Sequence, residues 1–153
     1  MGGTAFDKAV DLIGRRAHFR EELRRKLEQR GFEPDEVAAA LERLAGLGYL
    51  DDRALALAEA ERLRERKGLG RAALAAELAR KGAGREAIGA ALEAFPGDDV
   101  AAARAVAERW LRGRRADRAA LARHLERKGW AGHVIFRVLN DLAPDSTGGT
   151  EPD

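Results

Sequence analysis

The sequence predicts an all-α protein built from three tandem three-helix repeats. Three observations favour this fold class: a composition rich in Ala, Leu, Arg and Glu with only 5% aromatic residues, apolar residues at helical spacing, and a motif that recurs at two nearly equal intervals. Such a composition favours helices and gives strands little support. A chain of 153 residues is long enough for one compact domain or a short array of helical repeats.

The repeated motif ends on a glycine in each of three copies. The copies read EELRRKLEQRG (21–31), AALAAELARKG (72–82) and AALARHLERKG (119–129), and their glycines Gly31, Gly82 and Gly129 lie 51 and then 47 residues apart. A glycine preceded by a basic residue is typical of a helix C-terminus, where the backbone turns left-handed. We therefore predict that each glycine ends the second helix of its copy.

Apolar residues recur at fixed distances from these glycines and indicate three helices in each copy. Leucines lie eight and four residues before each glycine, at Leu23, Leu27, Leu74, Leu78, Leu121 and Leu125. Apolar residues follow each glycine by six, ten and thirteen positions, at Val37, Leu41, Leu44, Ile88, Leu92, Phe95, Ile135, Leu139 and Leu142. Further upstream, the columns Ala9, Ala60, Ala107 and Leu12, Leu63, Trp110 mark a first helix. We expect the copies to stack into an extended, curved array, right- or left-handed, that completes their cores.

Acidic turns divide the chain into a copy at 5–50, a copy at 51–98 and a copy at 99–143, followed by a disordered tail at 144–153. Asp51-Asp52 and the run from Pro96 to Asp99 separate the copies, and we predict Asp52 and Asp99 as the N-caps of the helices that follow. Trp110 shares the column of two leucines and is predicted to be core. Trp130, directly after Gly129, is predicted to pack on the preceding turn.

The sequence offers no chemistry for an enzyme, a metal site or a cofactor site. Cysteine is absent, and His18, His124 and His133 are scattered without ligand spacing. Gly68-Leu69-Gly70 completes no phosphate loop and is interpreted as a break between two helices. No stretch reaches the roughly 20 apolar residues of a membrane span. We expect a non-enzymatic cytoplasmic protein with no membrane contact, no cofactor and no small-molecule substrate.

Positive charge is concentrated in the third copy. Residues 1–50 carry nine Lys/Arg and nine Asp/Glu, residues 51–99 carry nine and ten, and residues 100–143 carry ten and four. Arginines outnumber lysines 23 to 5, and the planar guanidinium suits bidentate contacts with carboxylates or phosphates. This pattern indicates an acidic partner, either protein or nucleic acid.

Basic residues in matching register are the candidate partner-binding residues. Two columns repeat across the copies, fifteen and eleven residues before the glycine, and the remaining candidates are neighbours of these columns in copies one and three. The full set is Arg16, Arg20, Arg24, Arg25, Lys67, Arg71, Arg104, Arg109, Arg112, Arg114, Arg115 and Arg118.

Three strings give the chain its resemblance to a known family. RRAHFREELRRKLEQRGF (15–32), LGYLDDRALALAEAERLRERKGLGRAALAAELARKG (47–82) and ARHLERKGW (122–130) resemble the RecX regulatory protein family, over residues 5–142. The most specific element is GYLDD-R, a helix, and then KG-x-G-R-x-x-L-x-x-E-L-x-x-KG. Phe19 stands where that family often begins the second helix of copy one with a small hydroxyl residue.

The resemblance implies a three-repeat helical protein that binds along the groove of the RecA–DNA filament and inhibits strand exchange, ATP turnover and coprotease action. Its partners would be the RecA filament and DNA, single- or double-stranded, within or beside it. The residues alone leave a second function open, a helical protein that binds DNA directly through its basic third copy. Against that alternative, the first two copies are neutral and no recognition helix with base-reading side chains is evident.

Overall fold

The computed structural model describes residues 3–95 and 97–144, which contain nine α-helices and no strand. The helices are α1 (Ala5–Arg15), α2 (Arg20–Gln29), α3 (Pro34–Gly46), α4 (Asp52–Lys67), α5 (Arg71–Lys81), α6 (Arg85–Ala94), α7 (Asp99–Leu111), α8 (Arg118–Arg127) and α9 (Gly132–Leu142). The predicted all-α class, with its tandem three-helix repeats, is confirmed. The predicted tail, beyond Pro144, lies outside the described residues.

The chain forms two compact units. Among the described residues, the first unit comprises 3–61 and 76–95, and the second comprises 62–75 and 97–144. The first helix triplet, α1–α3, lies wholly in the first unit and the third triplet, α7–α9, wholly in the second. The helices α4 and α5 each contribute part of their length to both units.

The core of the first triplet is built from the predicted leucine columns. Leu23 and Leu27 of α2 are fully buried and pack with Val37, Leu41 and Leu44 of α3. The helix α1 begins at a reciprocal cap in which the Asp7 backbone nitrogen donates to Thr4 Oγ1 and the Thr4 nitrogen donates to the Asp7 carboxylate. The burial predicted for these columns in copy one is confirmed.

The core of the third triplet follows the same pattern. Leu121 and Leu125 of α8 are fully buried against Val134 and Val138 of α9.

Four predicted core positions in copies two and three are only half-buried: Ile88, Leu92, Trp110 and Leu142. Trp110 therefore differs from the two leucines of its column, which are buried.

The three glycines of the repeat adopt the predicted left-handed backbone, with φ of +91° at Gly31, +113° at Gly82 and +86° at Gly129. An L-residue with a β-carbon rarely adopts this conformation, so glycine favours a helix end here. The helices α2, α5 and α8 end within two residues of these glycines, as predicted.

The predicted N-caps at Asp52 and Asp99 are wrong by one residue. Asp98 caps α7 by accepting a 2.9 Å hydrogen bond from the Val100 nitrogen, and Asp51 caps α4 through a 3.1 Å bond from the Ala54 nitrogen. Asp52 and Asp99 instead occupy the first position of each helix. Their carboxylates accept hydrogen bonds from an earlier copy, Asp52 from the Arg20 nitrogen and Asp99 from Arg71.

The start of α2 has no hydroxyl side chain at its N-cap, Phe19, and relies on carboxylates instead. The Phe19 side chain is buried, and its backbone nitrogen donates to Glu22 Oε1 at 3.2 Å. The next nitrogen, of Arg20, donates to Asp52 Oδ1 at 3.0 Å. Carboxylates from the helix itself and from copy two therefore satisfy the first two backbone donors at the start of α2.

Candidate functional site

The four candidate cations of copy one are neutralised within the first unit. Each has a carboxylate oxygen within salt-bridge distance, in the pairs Arg16–Glu22, Arg20–Glu42, Arg24–Glu21, Arg24–Glu28 and Arg25–Glu21. The hydrogen bond from Arg24 holds the pKa of Glu21 below its usual range, so this carboxylate stays charged at neutral pH. A partner that binds here would first have to compete with these acids.

In copy two, the candidate Arg71 is also paired, within the second unit. Its Nε donates to Asp99 Oδ2 at 2.7 Å, and Arg64 reaches the other Asp99 oxygen at 3.6 Å. The Arg64 guanidinium also lies 4.7 Å from the centre of the Trp130 ring, and burial lowers the pKa of this arginine. Arg64 was not predicted, because nothing in its sequence position marks it as buried. The Lys67 side chain is exposed.

The candidate cations of copy three divide into a paired group and an unpaired group. Arg104 is paired with Asp141, and Arg118 donates to the Ala143 carbonyl oxygen and to Asn140 Oδ1, both at 3.0 Å. The remaining four are exposed, and over residues 3–95 and 97–144 none forms a salt bridge: Arg109, Arg112, Arg114 and Arg115. We refer to these four as the free arginine cluster.

An aromatic pair lies beside the free arginine cluster. The rings of Trp110 and His124 are stacked, with centroids 5.0 Å apart and planes inclined by 20°. The Arg114 guanidinium lies 4.7 Å from the centre of the Trp110 ring, in a cation–π contact. Burial, reinforced by the charges of Lys128, Arg127 and Arg114, lowers the pKa of His124, which keeps this ring neutral at pH 7.

Two further cations of this region were missed by the sequence analysis. Arg123 and Arg127 lie on the exposed face of α8, four residues apart, and both are exposed. Their i, i+4 spacing places them on one helix face, and this signal in the sequence would have been sufficient to find them.

A cleft of about 740 Å³ opens next to the free arginine cluster, within the second unit. It is lined by Trp110, Arg114, Arg115, Ala116, Asp117, Arg118, Ala120, Leu142, Ala143 and Pro144. The lining contains three arginines, one tryptophan and one carboxylate, that of Asp117, and its other residues are small or apolar. Such a surface suits a partner that carries negative charge together with some apolar area.

Other kinds of site have no counterpart in the part of the chain that the structure describes. No group of three or more His, Cys, Asp or Glu side chains there is arranged to hold a metal ion. Within the same residues, no helix is both long and apolar enough to cross a membrane.

The comparisons with known proteins agree on one family. Residues 5–44 match the model of the RecX first three-helix domain. Over 95 residues the chain is 42% identical to the regulatory protein RecX of Xanthomonas campestris pv. campestris (strain B100) and 38% identical to that of Stenotrophomonas maltophilia (strain R551-3). Each alignment covers 62% of this chain and 58% of the relative, so the match spans a little over half the length of these proteins.

Two solved structures share the fold. The crystal structure of RecX from Lactobacillus salivarius superposes with a TM-score of 0.81, over 90% of this chain and 94% of that one, at 18% identity. A second crystal structure, of a regulatory protein RecX, gives a TM-score of 0.77 over 89% of this chain and 71% of that one, at 20% identity. At this level of identity the two structures support the fold alone.

Proposed function

We propose that this chain, which is similar to the RecX family in its first three-helix domain and in sequence over 95 residues, is a regulatory protein that binds the RecA recombinase filament. In this proposal it inhibits the recombinase, ATPase and coprotease activities of the filament. It acts by binding rather than by catalysis, and it does so in the cytoplasm.

The free arginine cluster is the observation that carries the proposal. Arg109, Arg112, Arg114 and Arg115 keep their full charge at the surface, whereas the copy-one candidates are neutralised by their own acids. A filament of protein on DNA presents carboxylates and phosphates, and both form strong charge-assisted hydrogen bonds with arginine. The third triplet is therefore the part of the chain best suited to hold such a partner.

The test measures ATP hydrolysis by a RecA filament on single-stranded DNA as the purified protein is added. The parent protein is compared with the triple variant Arg112→Glu, Arg114→Glu, Arg115→Glu. Each lost charge-assisted contact is worth about 1.5–3 kcal/mol, so inhibition by the variant should fall at least about tenfold. Exposed substitutions shift stability by only about 0.5 kcal/mol each, so the fold should persist.

The matched control carries three reversals at exposed arginines outside the cluster, Arg30→Glu, Arg66→Glu and Arg85→Glu. It has the same net charge as the triple variant and should inhibit nearly as well as the parent. Equal loss in both variants would mean that only the overall charge matters. A triple variant that inhibits like the parent would remove the cluster from the binding surface.

Direct binding of DNA is the alternative function, favoured by the stacked pair Trp110 and His124 beside the free arginine cluster. Aromatic faces stack on unpaired bases and arginines hold phosphates, which is the arrangement of single-strand binding surfaces. Fluorescence anisotropy with labelled single- and double-stranded DNA, in the absence of RecA, separates the two functions. Affinity for free DNA equal to that for the filament, with a steep salt dependence, would favour the alternative.

A further inference from the structure

Copy two docks on copy one through residues at fixed positions in the repeat. The Gly82 backbone lies against α2 so closely that a β-carbon on it would be 2.9 Å from the Glu22 nitrogen. Glu22 lies nine residues before the glycine of its own copy, Gly31. The second contact is the hydrogen bond from the Arg20 nitrogen, eleven residues before Gly31, to Asp52 of copy two.

Copy three docks on copy two through the same positions, within the second unit. A β-carbon on Gly129 would lie 2.5 Å from the nitrogen of Ala73, which is nine residues before Gly82. Arg71, eleven residues before Gly82, donates to Asp99, and Asp99 occupies the position in copy three that Asp52 occupies in copy two. At both junctions an aspartate of the incoming copy therefore meets the same position, through the Arg20 backbone nitrogen at the first and the Arg71 guanidinium at the second.

A third contact extends this pattern. At the second junction the Gly68 backbone meets the Val106 side chain, which would lie 2.9 Å from a β-carbon on Gly68. At the first junction the hydrogen bond and charge of Glu22 raise the pKa of Arg16, and the charge of Glu59 adds a smaller effect in the same direction. Glu59 and Val106 share one position in the repeat, twenty-three residues before the glycine, and Arg16 and Gly68 lie at neighbouring positions, fifteen and fourteen before it. Each receiving copy thus offers three positions to the next copy.

The corresponding positions of copy three line the open cleft. Ala120 lies nine residues before Gly129, Arg118 eleven, and Arg115 and Arg114 fourteen and fifteen. All four line the cleft of about 740 Å³. The cleft is therefore the receiving position of the repeat in copy three, and none of the described residues fills it as a further copy would.

The chemistry of the cleft selects its occupant. At the two filled junctions, the incoming copy brings an aspartate to the position eleven before the glycine, occupied by Arg20 and Arg71. In copy three that position is Arg118, and Arg114 and Arg115 add two further positive charges, against one carboxylate, that of Asp117, which caps α8. A second copy of this chain would bring Lys8, a further positive charge, to the place that Glu59 takes at the first junction. Like charges brought close together repel each other, which disfavours docking of a second copy of this chain in the cleft.

We propose that this cleft is a docking site for an acidic helical element of the RecA filament, which takes the place of a fourth repeat. The element presents a carboxylate from its first turn to Arg118, as Asp99 does to Arg71. A small backbone turn of the element packs on Ala120, as Gly129 does on Ala73. This inference rests on the proposed function and adds to it the position and chemistry of the partner.

The first experiment closes the cleft without changing the charge. Ala120→Trp fills the receiving position, and Ala105→Trp adds the same side chain on the exposed surface of α7, away from the cleft. Binding to a RecA filament on single-stranded DNA is measured by biolayer interferometry. We expect Ala120→Trp to weaken binding at least about tenfold and Ala105→Trp to change it less than about twofold. Ala116→Trp, exposed at the rim of the cleft, repeats the test if Ala120→Trp does not unfold cooperatively.

The second experiment identifies the occupant by placing a diazirine-bearing leucine analogue, which is much smaller than tryptophan and leaves the cleft open, at position 120 or, as the control, at position 105. After irradiation on the filament, mass spectrometry should find position 120 joined to a RecA peptide that contains Asp or Glu and belongs to a helix. Cross-links only to DNA, only to a second copy of this chain, or identical to those from position 105 would each overturn the docking site. If the parent protein itself fails to bind the filament, the proposed function falls. If the parent binds and both cleft variants bind equally well, only the docking site falls.

Discussion

The indole Nε1 of Trp130 donates a 3.0 Å hydrogen bond to the carbonyl oxygen of Gly68, 62 residues earlier in the chain. The same turn supplies two backbone acceptors to the break between α4 and α5, since the Gly70 nitrogen donates to the Lys128 oxygen and the Ala72 nitrogen to the Gly129 oxygen. A glycine is needed at position 70, because a β-carbon there would lie 2.5 Å from the Gly129 oxygen. These contacts fix the position of copy three against residues 68–72 of copy two.

Replacing Trp130 by Phe should destabilise the protein measurably. The variant keeps an aromatic ring but leaves the Gly68 carbonyl without its buried donor, which costs about 1–3 kcal/mol. Urea unfolding followed by circular dichroism gives the free energy of unfolding. Trp110→Phe is the control, because Trp110 is half-buried and donates no hydrogen bond within the described residues. Equal losses in the two variants would contradict the role of the indole hydrogen bond.

Alanine at Gly129 should cost more stability than alanine at Gly31. Both positions have a left-handed backbone, which penalises an L-residue by about 1–2 kcal/mol. At Gly129 the new β-carbon would also collide with Ala73, whereas at Gly31 nothing lies within 4 Å of it. The difference between the two free energies of unfolding therefore isolates the docking contact. Indistinguishable values would show that the contact relaxes without cost.

Leu78→Ala should remove about 2–5 kcal/mol of stability, because Leu78 is fully buried and its truncation leaves a cavity. Leu47→Ala deletes the same atoms from a side chain that is 55% exposed, and it should change stability by about 0.5 kcal/mol or less. Thermal melts of both variants provide the check. A loss at Leu78 no larger than that at Leu47 would contradict the burial of this column.

Stability should fall as the pH drops below 6.5, because of His18. This ring is 3% exposed, with Nδ1 3.0 Å from the Arg16 carbonyl oxygen and Nε2 2.8 Å from Lys26 Nζ. Burial, and to a smaller extent the Arg16 and Lys26 charges, lower its pKa below the ordinary value of 6.5, against the opposing effects of the hydrogen bond to the Arg16 carbonyl oxygen and of the Glu22 charge. The unfolded chain therefore binds a proton first, and the stabilisation present above pH 6.5 is lost as the pH falls through the folded-state pKa.

Urea midpoints at about pH 7.5 and about pH 5 test the role of His18. The loss of stability from the higher to the lower pH should be smaller in His18→Gln than in the parent. His133→Gln, at an exposed position, should behave like the parent. Identical pH dependence in all three proteins would assign the effect to other groups.

Inhibition of the RecA filament should weaken as the salt concentration rises. Added salt shortens the Debye length from about 10 Å at 0.1 M to about 3 Å at 1 M. Because the free arginine cluster is exposed to solvent, its attraction to an acidic partner is screened accordingly. Titrations of ATPase inhibition are made at salt concentrations at which the filament itself survives. They give the slope of inhibition against salt concentration. The triple glutamate variant should show a shallower slope than the parent. Parallel slopes would indicate that the cluster makes no electrostatic contact.

The sequence alone determined the helices, the repeat and the buried leucine columns. Leu23, Leu74 and Leu121 are fully buried, and the three glycines take the left-handed backbone, because periodicity and glycine conformation are local properties that a linear pattern records. Because the pattern is local, it does not fix the first residue of a helix to a single position. Adjacent aspartates are equivalent in a sequence, so the true caps Asp51 and Asp98 could not be separated from Asp52 and Asp99 before the backbone direction was known.

Only the tertiary structure decided which arginines lack a salt bridge among the described residues, and which copy has a cleft at its docking position. Arg20 meets Glu42 and Arg104 meets Asp141, pairs that are 22 and 37 residues apart in the chain and lie on different helices. Arg114 and Arg115 meet no such carboxylate among the described residues. Helix packing sets the distance between such side chains, and electrostatic attraction depends on that distance rather than on separation along the sequence. The same packing leaves Ala120 facing a cleft while Ala73, at the same position in the repeat, lies under Gly129.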